Sequence, residues 1–142
     1  MRASEKAFTL IKGFEGYSAI PYTCPGKRLT IGYGTTRGVY KVQHVSPQQA
    51  EELLKMDVAE FEEAINKLVK VPLTQNQYDA LLSFTYNVGA AALEDSTLLI
   101  ELNKLNYEAV PTQMKRWTRA QGVQLKGLVT RREKEAALFE EL

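Results

Sequence analysis

Three side chains near the start of the chain have types that can move protons or attack a polar bond. Glu15, Cys24 and Thr30 are separated by eight and then five residues. Glu15 lies between Phe14 and Gly16, just past an apolar helix face, where partial loss of water favours the protonated form a general acid needs. A solvated glutamate by a helix end is the ordinary fate of such a residue, so its company decides. Thr30 offers a hydroxyl that both donates and accepts. Cys24 is the single cysteine. An unperturbed thiol titrates near ~8.5 and is mostly neutral at pH 7, and the neighbouring Lys27 and Arg28 favour its thiolate. A turn between Thr23 and the Pro25-Gly26 pair is a poor place to bury a sulfur.

The elements that must position these groups can be read from pattern. Ser4 caps a helix from Glu5 to about Phe14, with Ala7, Leu10, Ile11 and Phe14 on one face; Gly13 and Gly16 bracket its end, which leaves Glu15 at the terminus or just beyond. From Tyr17 to Tyr40 no helical period survives, and short strands are expected around residues 17–20, 29–33 and 39–42, with turns at Pro25-Gly26 and near Arg37-Gly38. Ser46-Pro47-Gln48-Gln49 forms a capping box with proline at the first helical position. An apolar stripe through Ala50, Leu53, Leu54, Val58, Phe61, Ile65 and Leu68 follows, up to Pro72.

The rest reads as helices joined by short loops. Thr74-Gln75-Asn76-Gln77 opens one that Gly89 closes, and Ser96 starts another that carries Leu98, Leu99, Leu102 and Leu105. A weaker one runs from about Tyr107 to Thr118, with Pro111 tolerated only in its first turn. Thr130-Arg131-Arg132-Glu133 opens the last. The order predicts an α+β protein with two unequal lobes: an N-terminal lobe over about 1–45 that bears a small sheet, a linking helix over about 46–70, and a helical lobe over about 71–142.

Composition narrows the function classes. One histidine and one cysteine exclude an internal disulfide and a thiolate zinc cage and leave most metal sites short of parts, so neither metal nor cofactor is expected. No stretch approaches the ~18 apolar residues of a membrane span, and the first dozen residues lack a signal peptide's apolar core. These features predict a cytoplasmic protein without stable membrane association. The net charge of +1 conceals a pattern: residues 1–44 and 111–142 carry local charges of +5 and +3, and the middle carries −7. Either these are three solvated faces, or the two ends meet across a cleft and present positive potential to an anionic polymer. Nucleic acid is not expected, because the basic excess is modest and no reader motif is present.

The longer context is more specific than the three residues. FEG, then PYTCPGKRLTIGYGTT, a capped long helix, SFTYNVG and GLVTRRE together resemble the phage-type lysozymes, the endolysin muramidases of glycoside hydrolase family 24. The resemblance runs from Phe8 to Phe139. It implies a lysozyme-like fold and hydrolysis of the β-1,4 bond between N-acetylmuramic acid and N-acetylglucosamine in peptidoglycan, by a Glu–Asp–Thr triad at this spacing. The family's glutamate falls on Glu15 and its threonine on Thr30; its aspartate falls on Cys24, a departure.

Cleaving a glycosidic bond needs a proton on the leaving oxygen and stabilisation of an oxocarbenium-like centre, and inversion also needs an activated water. Glu15 is the expected general acid and Thr30 the holder of the water. Cys24 either positions that water or attacks the anomeric carbon. The resemblance also places Arg131 against the glutamate, Asn87 along the far wall of the cleft, and Tyr33 among the cleft or supporting residues. It implies a monomer that waits in the infected bacterium's cytoplasm until a pore-forming holin admits it to the wall. A catalytically weakened wall-binding protein and a lytic transglycosylase are the alternatives on the same fold. Gly32-Tyr33-Gly34 is not a dinucleotide loop, since Arg37 stands at the third glycine position. His44 is expected to be solvated, Trp117 to belong to the core, and Thr35 carries no assigned role.

Overall fold

Ser4 begins the first helix by accepting a hydrogen bond from the Lys6 N–H, and α1 then spans Glu5–Glu15 in a computed structural model that describes residues 1–23, 28–36, 38–39, 43–120 and 122–142. Gly16 ends α1 at φ +69, its N–H bonding to the Lys12 carbonyl, so Glu15 is the last helical residue. Ala7 and Ile11 are the buried face of α1, and they pack on a helix far along the chain. The docking is polar as well: the Ser4 N–H donates to Asp79 Oδ1 at 3.0 Å, and the Ser4 hydroxyl bonds the same carboxylate.

Strands β1 (Ser18–Thr23) and β2 (Leu29–Gly32) pair antiparallel, with Tyr22 opposite Thr30 and an irregularity between Ser18 and Tyr22. An isolated bridge joins Ile31 to Thr35. Ile31, Val45 and Ala50 form a small apolar cluster beneath this sheet. The expected third strand over 39–42 is not found where it can be judged. Val39 is not in a strand, and residues 40–42 lie outside the described residues.

The long helix is as expected. Helix α2 covers Pro47–Leu68 with proline in its first turn; Ser46 Oγ accepts from the Gln49 N–H at 3.1 Å and Gln49 Oε1 accepts from the Ser46 N–H at 2.8 Å. Twenty-two residues extend about 33 Å. Losing this box should be measurable: Ser46→Ala is expected to cost about 1 kcal/mol, read as a drop of roughly 3 °C in the thermal midpoint. No change in midpoint would show that the helix start is held by packing alone.

Helix α3 (Gln75–Val88) has the second capping box and is the buried centre of the molecule, with Tyr78 through Thr85 all inaccessible or nearly so. Around it stand α4 (Ala90–Glu94), α5 (Thr97–Asn103), α6 (Ala109–Met114) and α7 (Lys126–Glu140). Ala7, Ile11, Leu54, Val58, Ile65, Leu81, Phe84, Leu98, Val110 and Phe139 belong to one apolar core around it. Each large side chain so buried contributes roughly 1.5–3 kcal/mol. Pro111 does fall in the first turn of its helix, which is shorter than expected. Leu105 lies beyond α5 at φ +69.

Two expectations fail here. Arg119–Ala120 and Val123–Gln124 form a second small antiparallel pair, β3 and β4, where only helix and loop were foreseen. This pair returns the chain so that Leu125 donates its N–H to the Thr118 carbonyl at 2.9 Å, and α7 starts directly after it. The last helix therefore opens at Lys126, not at Thr130, and the Thr130–Glu133 box sits inside it without capping anything. Tertiary return of the chain overrides the local start signal. Arg131 and Arg132 are consequently in its second turn, on the buried face.

Candidate active site

Glu15 projects from the end of α1 into a cleft of about 910 Å³ that Tyr22, Thr30, Gly34, Asp57, Asn87, Trp117 and Arg119 also line. Its side chain is 21% exposed, and Arg131 Nη1 donates to its Oε2 at 2.8 Å. Arg131 is itself only 5% exposed, so this is a partly buried ion pair and not a solvated one. Its guanidinium also lies 4.7 Å from the Phe14 ring centroid. One side chain thus grips both the candidate acid and the residue before it.

The turn after β2 closes on Glu15 from the other side. Gly34 has φ +92, and a Cβ built on it would lie 2.8 Å from Glu15 Oε1. Only glycine gives both that backbone and that approach. Gly34→Ala is therefore expected to displace the carboxylate and to reduce the wall hydrolysis that the resemblance implies by roughly 100-fold, the scale of an ångström's misplacement. A variant with wild-type rate would mean that the Glu15 position is not critical.

Thr30, on β2, is 3% exposed and donates its hydroxyl to the Arg28 carbonyl at 3.1 Å. With its proton so directed, the hydroxyl's lone pairs are free to accept from a water in the cleft. Tyr33 does not line the cleft. Its ring packs on Tyr17 with centroids 5.8 Å apart, and its carbonyl accepts from the Tyr86 hydroxyl at 2.9 Å. Burial, then the negative charges of Asp57 and Glu15, push the Tyr86 phenol far above its ordinary range, so it stays a neutral donor. Asn87 does line the cleft, and its amide oxygen accepts from Arg132. Cys24, the third member of the expected triad, lies outside the described residues, as do Lys27 and Arg37.

Several groups here were not singled out from the sequence. Thr35 is 1% exposed and donates to Asp57 Oδ2 at 2.7 Å, tying the turn after β2 to the middle of α2. Ser83 and Glu135 are fully buried behind Arg131. The signal for Glu135 was helical phase: it shares the face of Arg131, Arg132, Ala136 and Phe139. Trp117 meets Phe84 edge-on at 5.8 Å and also borders the cleft, so it serves core and wall together. His44 is exposed.

The two basic ends do share this cleft, yet its charges are mixed: Arg28, Arg119 and Arg132 against Glu15, Asp57 and Glu60. A uniformly positive groove is not what the described residues form. Among them, no cluster of three or more His, Cys, Asp or Glu is spaced to hold a metal ion, and no helix is long and apolar enough to cross a membrane.

The family model described as phage lysozyme matches residues 12–135, which includes Glu15, Thr30 and Arg131. The chain belongs to the phage lysozyme family. An endolysin of an Acyrthosiphon pisum secondary endosymbiont phage is 40% identical, with 99% of each chain covered. The endolysin of Bacillus phage B103 is 44% identical over 98% of this chain, which spans only 54% of that longer protein. Among solved structures, the muramidase domain of SpmX from Asticaccaulis excentricus superposes with a TM-score of 0.92 at 36% identity, over 99% of both chains. The α+β, lysozyme-like fold of this phage lysozyme is thereby shown.

Proposed function

We propose that this phage lysozyme is an endolysin that hydrolyses the β-1,4 bond between N-acetylmuramic acid and N-acetylglucosamine in peptidoglycan. What carries the reading is a carboxyl group held by a buried arginine at the edge of a cleft that also presents the Thr30 hydroxyl. The endolysins and the muramidase domain to which the chain is similar support it. Glu15 protonates the leaving oxygen, and Thr30 holds the attacking water. Cys24, which the chain places between them, either positions the same water from the far side or attacks the sugar as a thiolate. Arg131 orients Glu15, while Asn87 and Tyr33 support the cleft, the first from its wall and the second from behind it.

On this reading the chain divides into a sheet-bearing lobe over about 1–45, the linking helix, and a helical lobe over about 71–142, with the glycan strand bound between. It acts as a monomer, without metal or cofactor. It is held in the host cytoplasm until a holin opens the route to the wall.

The products decide between this and the alternatives. Digestion of purified sacculi should release fragments ending in reducing N-acetylmuramic acid, seen by mass spectrometry. Anhydro-muramic ends would make the protein a lytic transglycosylase, in which the sugar's own 6-hydroxyl replaces water. Retained binding without any release would make it a wall-binding protein.

A further inference from the structure

A second carboxylate stands directly behind the candidate acid. Glu135 has no solvent exposure. Its Oε2 accepts from Ser83 Oγ at 2.6 Å and from Arg131 Nε at 3.1 Å, while Oε1 accepts from Arg132 Nη1. Arg131 Nη2 donates to the Ser83 carbonyl at 2.9 Å. With Nε and Nη2 so occupied, the rigid fork of the guanidinium leaves Nη1 aimed at Glu15, 2.8 Å away. Arg132 is fixed in turn by the Trp117 carbonyl at 2.8 Å and by Asn87, and it lies 4.9 Å from the Phe84 ring centroid.

We propose that Glu135 is a positioning residue for the general acid: it holds Arg131 in the orientation that grips Glu15, and its charge offsets one of the two guanidinium charges behind the cleft. The inference rests on the reading of Glu15 as the acid. Packing alone would not need a carboxylate here. Two buried arginines are balanced by two carboxylates, only one of which reaches the cleft. Without the charge on Glu135, Glu15 would be the one carboxylate left to offset the two guanidinium charges of this cluster, which favours its ionised form over the protonated form a general acid needs.

The groups around Glu15 allow the charge argument to be made cleanly. From α7 comes Arg131; from α3 comes the Tyr86 phenol, which is neutral; from the turn after β2 comes the uncharged backbone at Gly34. On α2, Asp57 adds a negative charge that acts on Tyr86, and Glu60, Arg28 and Arg119 also line the cleft. Glu135 itself faces Arg131, Arg132 and Ser83. Among the described residues, Arg131 is the link between the two carboxylates.

The test is the pH profile of kcat/KM on soluble wall fragments, measured with thermal melts for Glu135→Gln, Arg132→Met, the double variant and Glu135→Asp. Above its optimum, an enzyme that needs a protonated acid loses rate. Glu135→Gln is expected to move that alkaline limb down by roughly one pH unit, Arg132→Met to move it up by a similar amount, and the double variant to restore it. Glu135→Asp keeps the charge but shortens the reach. Its limb should stay in place while kcat falls at least ~10-fold with KM within about twofold. Folded Glu135→Gln and Arg132→Met whose limbs both coincide with the wild type would overturn the inference. If the single-charge variants fail to fold, the Asp variant still decides: wild-type kcat in a folded Glu135→Asp removes the positioning role. Full activity in Glu15→Gln would remove the acid reading and this inference with it; an inactive Glu15→Gln alongside unmoved limbs would remove the inference alone.

Discussion

Glu15→Gln should lower the rate of wall hydrolysis by at least ~100-fold, the scale of general-acid catalysis, while the protein stays folded. The amide keeps the size of the side chain, and its oxygen can still accept from Arg131 Nη1. What it lacks is a proton that can leave with the sugar oxygen. Arg131 retains Glu135 and the Ser83 carbonyl as partners, so no guanidinium is stranded, and the thermal midpoint should change by only a few degrees. Turbidity clearing of wall suspensions and a melting curve on the same preparation give both numbers. A folded variant that clears walls at the wild-type rate would strip Glu15 of its role. Cys24→Ser, measured in parallel, should also be slow if the sulfur takes part in chemistry; an unaffected rate would leave Glu15 and Thr30 as the working pair.

Phe84→Ala is expected to be the most damaging single change to stability. The ring has no solvent exposure, meets Trp117 edge-on and carries the Arg132 guanidinium on its face. Truncation of a buried phenylalanine costs about 3–5 kcal/mol. Here the void would also open beneath a cationic side chain with few other places to go. Denaturant melts should show the loss as a lower midpoint with little change in slope. Because Arg132 and Trp117 both border the cleft, activity should fall well below the unfolding temperature. A loss under about 1 kcal/mol would mean that neighbouring side chains collapse into the space.

The helices were legible because their signals are local. Ser46 with Gln49, and Thr74 with Gln77, close capping boxes in structure as in sequence, and Gly89 ends α3 while also starting α4. Glu15 and Thr30 were singled out by the resemblance to the phage-type lysozymes, since their types and spacing alone are a weak signal, and both line one cleft. The misses have a common cause. Thr130 and Glu133 have the right types for a helix start, but the β3–β4 return puts the cap at Leu125, five residues earlier, which no local pattern reports. Glu135 belongs to none of the motifs read from the sequence. Its burial follows from the phase it shares with Ala136 and Phe139, a weak signal when most of that face is charged. Asp57 was hidden in the same way, as one acid among many on α2, until Thr35 came to meet it.

The ion pair at the cleft joins residues 116 positions apart. Contacts over such a span slow folding relative to local ones, and α7 supplies the arginine only once it has docked along α3. A polypeptide stopped short of residue 131 would carry every other group assigned to catalysis and still lack the grip on its proton donor. The grip on the candidate acid is thus coupled to completing and docking the last helix.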